Sequence, residues 1–183
     1  MFKALDKTNP DVFPLIIRRF AKDFYKHQNY ETLDGWGVLA CDGIKMALPP
    51  SQEMKEKFGG YLNQTITDES KVWKLQANCS ILIDALNHVV LDALIKPCKT
   101  SEILMLYEHL ENCRELLKGK KVMMLCDRSY GSVEFFLYCR LYGYKLLVRT
   151  KSYMYNKKSL FKCLIIFNIW MEIFYRQINT AKV

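Results

Sequence analysis

Closely spaced cysteine pairs are missing from this chain, which excludes the common zinc modules. Its 7 cysteines, Cys41, Cys79, Cys98, Cys113, Cys126, Cys139 and Cys163, never fall into a CxxC spacing, and His27, His88 and His109 are scattered. An odd, dispersed set lying partly inside apolar runs reads as reduced thiols packed as small hydrophobes. A signal peptide is also lacking, because Phe2 to Pro10 is polar where an apolar segment would be needed. Nor is there a clean membrane span: the apolar stretch Leu160 to Phe174 is interrupted by Lys162, Asn168 and Glu172. Internal repeats and low-complexity segments are absent too. Together these absences predict a cytoplasmic chain with no membrane partner.

What is present is a chain of 183 residues that is 50% hydrophobic and 13% aromatic, enough for one domain with a real core. The net charge of +8 and pI near 9.1 favour polyanionic partners, although many basic domains bind nothing acidic. Basic residues concentrate between Phe135 and Met171, where Arg140, Lys145, Arg149, Lys151, Lys157, Lys158 and Lys162 occur without one acid. Tyr142, Tyr144, Tyr153 and Tyr155 are interleaved with them, as in grooves that follow a nucleic-acid backbone and stack on bases. The same pattern also fits a solvated basic face over core tyrosines. His88 and His109 read as structural rather than as ligands.

Periodicity predicts the elements. Asp11 is placed to cap a helix to about His27, with Phe13, Ile16, Ile17, Phe20 and Phe24 on its apolar stripe and Arg18, Arg19, Lys22 and Lys26 opposite. Trp36 to Leu48 alternates as a strand ended by Pro49-Pro50. Ser51 to Lys71 is a polar connection with room for one helical turn. Val72 to Asp84 and His88 to Ile95 read as a hairpin, followed by a helix capped by Thr100 or Ser101, running through Leu117 and closed by Gly119. Val122 to Cys126 is a continuous apolar run, as in a strand buried on both faces. Ser132 caps a helix from Val133 to Tyr142, and Tyr144 to Thr150 returns as a strand, implying a parallel crossover.

Two aspartates stand out on this frame. Asp42 lies inside the first strand on the face of Val38 and Ala40, where a carboxylate among apolar residues is costly unless paired. Asp127 ends the central strand, where open α/β sheets place their ligand sites. If those strands are neighbours, the carboxylates converge, and a hard divalent cation, Mg2+ or Mn2+, would relieve their repulsion. Two such metals clamp the entering and leaving oxygens of a phosphodiester displacement. A blander reading leaves Asp42 as a turn residue beside Gly43 and Asp127 as a cap on the following loop.

The surrounding residues resemble a known family. Ala40-Cys-Asp-Gly-Ile-Lys-Met-Ala-Leu-Pro49 is similar to the first-aspartate motif of DDE transposases of bacterial insertion sequences, in the group typified by insertion sequence four. Glu56-Lys-Phe-Gly-Gly60 and Gln76 to Asn87 resemble the connection and hairpin that follow, and Ser101-Glu102 with Glu108-His-Leu110 the next helix. Leu125-Cys-Asp-Arg-Ser-Tyr-Gly131 looks like the second-aspartate motif, and Leu147 to Ser152 like the strand after it. The resemblance runs from about Asp11 to Ser152. It implies an α/β, ribonuclease H-like fold: a mixed five-stranded sheet flanked by helices and led by an N-terminal helix. The expected division is a lead-in over 1–35, a partial catalytic domain over 36–152 and a tail over 153–183.

By this resemblance Asp42 and Asp127 are two of three carboxylates that bind Mg2+ or Mn2+ for DNA strand cleavage and transfer. Arg128 would contact phosphate or pair with Glu134; from the basic stretch itself, Arg140, Lys145, Arg149 and Lys151 are the expected DNA contacts. The implied partners are double-stranded DNA at transposon ends and a second transposase subunit, in a bacterial cytoplasm at the nucleoid. The family's third ligand is a glutamate within a Tyr, Arg, Glu, Lys pattern. Glu172 is the only acid after Glu134, and Ile165, Asn168 and Asn179 stand where that pattern has Tyr, Arg and Lys. The tail therefore reads as appended by truncation or frameshift, and the chain as a DNA-binding transposase fragment with incomplete chemistry. The alternatives are an active nuclease or transposase that uses Glu172 or a partner's glutamate, and a non-catalytic regulator of transposition that binds DNA.

Overall fold

The computed structural model describes residue 9, residues 12–62 and residues 73–148. In chain order these form α1 (Val12–His27), β1 (Gly37–Ala47), α2 (Gln52–Phe58), β2 (Gly60–Leu62), β3 (Trp73–Asp84) and β4 (Val89–Pro97). Then come α3 (Glu102–Asn112), α4 (Arg114–Leu117), β5 (Val122–Cys126), a 3-10 turn (Arg128–Tyr130), α5 (Val133–Leu141) and β6 (Lys145–Val148). The cap expected at Asp11 and the end of the strand at Thr150 lie outside the described residues.

β1 pairs antiparallel with β3, β3 pairs antiparallel with β4, and β5 and β6 add in parallel on the other side of β1. The order β4-β3-β1-β5-β6 is the mixed five-stranded, ribonuclease H-like sheet expected from the sequence. The short β2 adds a further antiparallel pairing at the start of β3. It lies with α2 in the connection after Pro50, where one helical turn was expected. Ser51 Oγ caps α2 by accepting from Met54 N at 3.2 Å. The β3–β4 hairpin turns through His88, whose φ of 55° is left-handed. Beyond it the register shifts between Leu82 and Ile83: Leu82 pairs with Asp92 but Ile83 with Val90, so Leu91 is a surplus residue in β4.

One face of the sheet carries the core. Leu39, Cys41, Leu82, Met124 and Cys126 pack there against Ala21 of α1, Leu106 and Leu110 of α3, and Phe135 and Cys139 of α5. On the opposite face Ile44, Ile81, Ile95, Leu125 and Leu147 are all exposed. This corrects the expectation that β5 is buried on both faces: Met124 is fully buried but Leu125 is 40% exposed. A continuous apolar run looks the same in both situations.

α1 also differs from its expected orientation. Phe13, Ile16 and Phe20 of the apolar stripe are exposed, whereas Ala21 is buried and Arg18 and Tyr25 turn towards the sheet. The reason is chemical. Two fully buried carboxylates, Asp84 and Asp92, need partners. Tyr25 Oη donates to Asp84, and Arg18 Nη1 donates to Asp92 at 3.3 Å. Burial and the Asp84 carboxylate hold the Tyr25 phenol far above its usual range. The predicted helix to Leu117 breaks at Cys113, which ends α3 and starts α4. Ser132 caps α5 as expected, accepting from Phe135 N at 3.1 Å.

Candidate active site

The parallel ladder between β1 and β5 ends with Cys41 opposite Cys126. Asp42, still within β1, and Asp127, the first residue after β5, come next. Neighbouring strands lie about 5 Å apart, so the two aspartates directly follow residues paired across adjoining strands. Paired residues in a parallel ladder share a face, and alternation puts both on the open face with Ala40 and Leu125. Both are exposed. The desolvation cost expected for Asp42 is therefore not incurred, because its side chain reaches solvent. Asp42 Oδ1 accepts from Gly43 N at 2.8 Å, which restrains the carboxylate's orientation.

The segment after Asp127 is anchored. Tyr130 N donates to Asp127 O at 3.1 Å, and the 3-10 turn tucks the Tyr130 ring into the core. Its hydroxyl lies 3.9 Å from Cys41 Sγ, so the two aspartate-bearing segments are tied together from beneath. Burial raises the Tyr130 phenol well above its usual range, and burial likewise raises the Cys41 thiol.

A third acid, which sequence reasoning did not single out for the site, stands close by. Glu102 opens α3, and a side chain at Gly43 would come within 3.1 Å of its Cδ and 3.2 Å of its Oε1. It approaches Gly43 from the helix-covered side. The sequence signal was a glycine directly after Asp42 and an acid in a helical first turn, a pattern usually explained by the helix dipole alone. Among the described residues no three Asp, Glu, His or Cys side chains are close enough to hold a metal ion as a set. Two exposed carboxylates nonetheless suit a hard cation that keeps several waters and takes further oxygens from phosphate.

The other predicted residues divide into separate places. Arg128 is exposed in the turn directly after Asp127. Glu134 is exposed in the first turn of α5. Lys145 pairs with Met123 at the amino ends of β6 and β5, so it sits at the opposite end of the strands from Asp127. Its Nζ lies 4.2 Å from the centre of the Trp36 ring. Arg140, in the last turn of α5, is exposed near that same end. Tyr142 and Tyr144 stack on each other at 5.9 Å, and Tyr142 meets Tyr138 at 4.6 Å, so these rings pack among themselves. Arg149, Lys151, Tyr153, Tyr155 and Glu172 lie outside the described residues. Among the described residues no helix is long and apolar enough to cross a membrane.

A family model described as Transposase DDE domain matches residues 37–181. No curated protein matches the chain. A solved piggyBac transposase synaptic complex with hairpin DNA is similar at 14% identity and TM-score 0.39, over 67% of this chain and 24% of that one. A Mos1 transposase paired-end complex with the left transposon end is similar at 10% identity and TM-score 0.41, over 77% and 43%. The Mos1 mariner paired-end complex with Mn gives 13% identity and TM-score 0.41, over 79% and 44%. The chain thus spans less than half the length of these solved proteins. With the family model covering most of the sequence, including both aspartate motifs, the chain belongs to the transposase DDE domain family.

Proposed function

We propose that this chain is part of an insertion-sequence transposase that binds double-stranded DNA and uses Asp42 and Asp127 to hold Mg2+ or Mn2+ for strand cleavage. The observation that supports the reading is the register of β1 and β5, in which Cys41 and Cys126, the residues directly before the two aspartates, are partners. A divalent ion bound there supplies Lewis-acid activation of a phosphodiester and of the attacking water or 3′-hydroxyl. The chain's own contribution is placement. The Gly43 N–H holds one Asp42 oxygen, and the buried Tyr130 fixes the turn that carries Asp127. Arg128, exposed beside Asp127, is in position to neutralise a phosphate oxygen. In the proposed cleavage, water attacks phosphorus and the bond to the 3′ oxygen breaks, so a free 3′-hydroxyl is released. The third carboxylate would come from Glu172 or from a partner subunit.

A supercoiled-plasmid nicking assay with Mg2+ or Mn2+ tests this, comparing wild type with Asp42→Ala and Asp127→Ala. Nicking by wild type that both variants lose is the expected result. Plasmid bound but left uncut by wild type would overturn the catalytic reading in favour of a non-catalytic DNA-binding regulator.

A further inference from the structure

A chain of buried polar groups runs from α1 to the main chain of Asp42. Arg18 Nη1 donates to Asp92 Oδ1 at 3.3 Å. Asp92 Oδ2 accepts from Asn112 Nδ2 at 2.9 Å and lies 2.9 Å from His109 Nδ1. His109 Nε2 lies 3.0 Å from Ser80 Oγ, and Ser80 Oγ donates to the Asp42 carbonyl oxygen at 3.2 Å. Ser80 Oγ is also 3.5 Å from Cys41 Sγ, which in turn contacts the hydroxyl of Tyr130. Ser80 is therefore a junction. One branch holds the peptide that follows Asp42, and the other reaches the turn that follows Asp127.

The order acid, imidazole, hydroxyl at these distances matches that of an activated serine nucleophile. Here it has a different use. Asp92 and His109 are fully buried and Ser80 is 2% exposed, so no substrate reaches the serine oxygen. The hydroxyl already faces a main-chain acceptor. Buried ionic and polar chains are seldom more stabilising than apolar packing of the same volume. What they provide is fixed geometry, provided every member is satisfied. Each member of this chain has a polar neighbour within hydrogen-bond distance, and the chain draws Arg18 inward while apolar residues of α1 stay exposed. It ends on the residue that the proposed function makes a metal ligand.

We propose that Ser80, His109 and Asp92 are positioning residues for the metal site, locking the main chains of Asp42 and Asp127 at the separation one cation requires. The proposal rests on the metal-binding reading above. Its test is Mn2+ affinity of the full chain, read by electron paramagnetic resonance of the free ion, with thermal melting measured on each variant. Wild type should bind, and Asp42→Ala should not. Ser80→Ala should bind about tenfold more weakly, the lower end of what outer hydrogen-bond partners of metal ligands contribute. Ser80→Thr, which keeps the hydroxyl, should stay near wild type. Leu110→Ala, a buried α3 substitution outside this chain, should melt earlier yet keep its Mn2+ affinity. Should Ser80→Ala fail to fold, Ser80→Cys carries the same comparison, having similar shape and a much weaker donor. Unchanged affinity in a folded Ser80 variant lacking the hydroxyl overturns the positioning role and leaves the metal site standing. Absence of Mn2+ binding by wild type overturns the metal reading itself, and this proposal with it.

Discussion

Cys41 and Cys126 face each other as the last paired residues of two parallel strands. Their side chains point into the core, so the residues that follow them, Asp42 and Asp127, both turn outward. Two apolar thiols thereby determine the side and the level at which two acids emerge.

Breaking the buried polar chain by removing one partner should destabilise the packing of α1 and α3. His109→Ala removes a fully buried hydrogen-bond partner of Asp92 and should cost about 2–3 kcal/mol. Arg18, whose side chain is 28% exposed, should matter less, with Arg18→Ala costing about 1 kcal/mol. Urea unfolding of the two variants measures both, and equal losses would contradict this ranking.

Alkali should destabilise the fold through its thiols. Burial pushes Cys126 and Cys139 up to about 12, and burial with the Asp92 charge does the same for Cys113, against an ordinary value of 9.0. The folded state thus keeps protons that the unfolded chain releases. The stabilisation is fully present below pH 9.0 and is lost progressively as pH rises towards about 12. Urea midpoints at about pH 7.5 and about pH 10.5 should differ, with the higher pH giving the lower midpoint. Alkylation of these thiols at neutral pH should be slow until the protein unfolds.

Gly43 and Glu102 should be energetically coupled. Gly43→Ala needs only a small shift of a flexible carboxylate and should cost less than about 1 kcal/mol. Gly43→Leu overfills the space and should cost about 1–3 kcal/mol. Adding Glu102→Ala to the leucine variant should recover part of that loss. A double-mutant cycle showing simple additivity would mean the two side chains do not meet in solution.

Contacts with DNA should separate by position along the strands. Arg128→Ala should weaken binding across sequences and lower the salt slope by about one. Lys145→Ala, which removes a cation held over Trp36 at the far end of β5 and β6, should change plasmid nicking less than Arg128→Ala does. Filter binding over a salt series, alongside nicking, checks both.

Much of the frame was legible in the sequence because local signals agreed. Val122 to Cys126 is a strand to the residue, since a short apolar run lies between the turn at Gly119 and the polar segment after Asp127. The hairpin and the Ser132 cap followed from turn and capping chemistry. Elsewhere long-range demands overrode local ones. The stripe on α1 was read from hydrophobicity, but Asp84 and Asp92, far along the chain, claim Tyr25 and Arg18 and rotate the helix. Glu102 was hidden because its role depends on the space left by Gly43. The link from His109 to Ser80 joins a helix to a strand, and no spacing rule relates those positions.

The surplus residue in β4 settles where one of these acids goes. Strict alternation from the buried Val89 would send Leu91 inward and Asp92 outward, yet both are fully buried. The bulge re-phases the strand between the hairpin and Asp92, and His109 finds its carboxylate only because of that slip. Without it the same sequence would strand a negative charge in water and leave an imidazole sealed in oil.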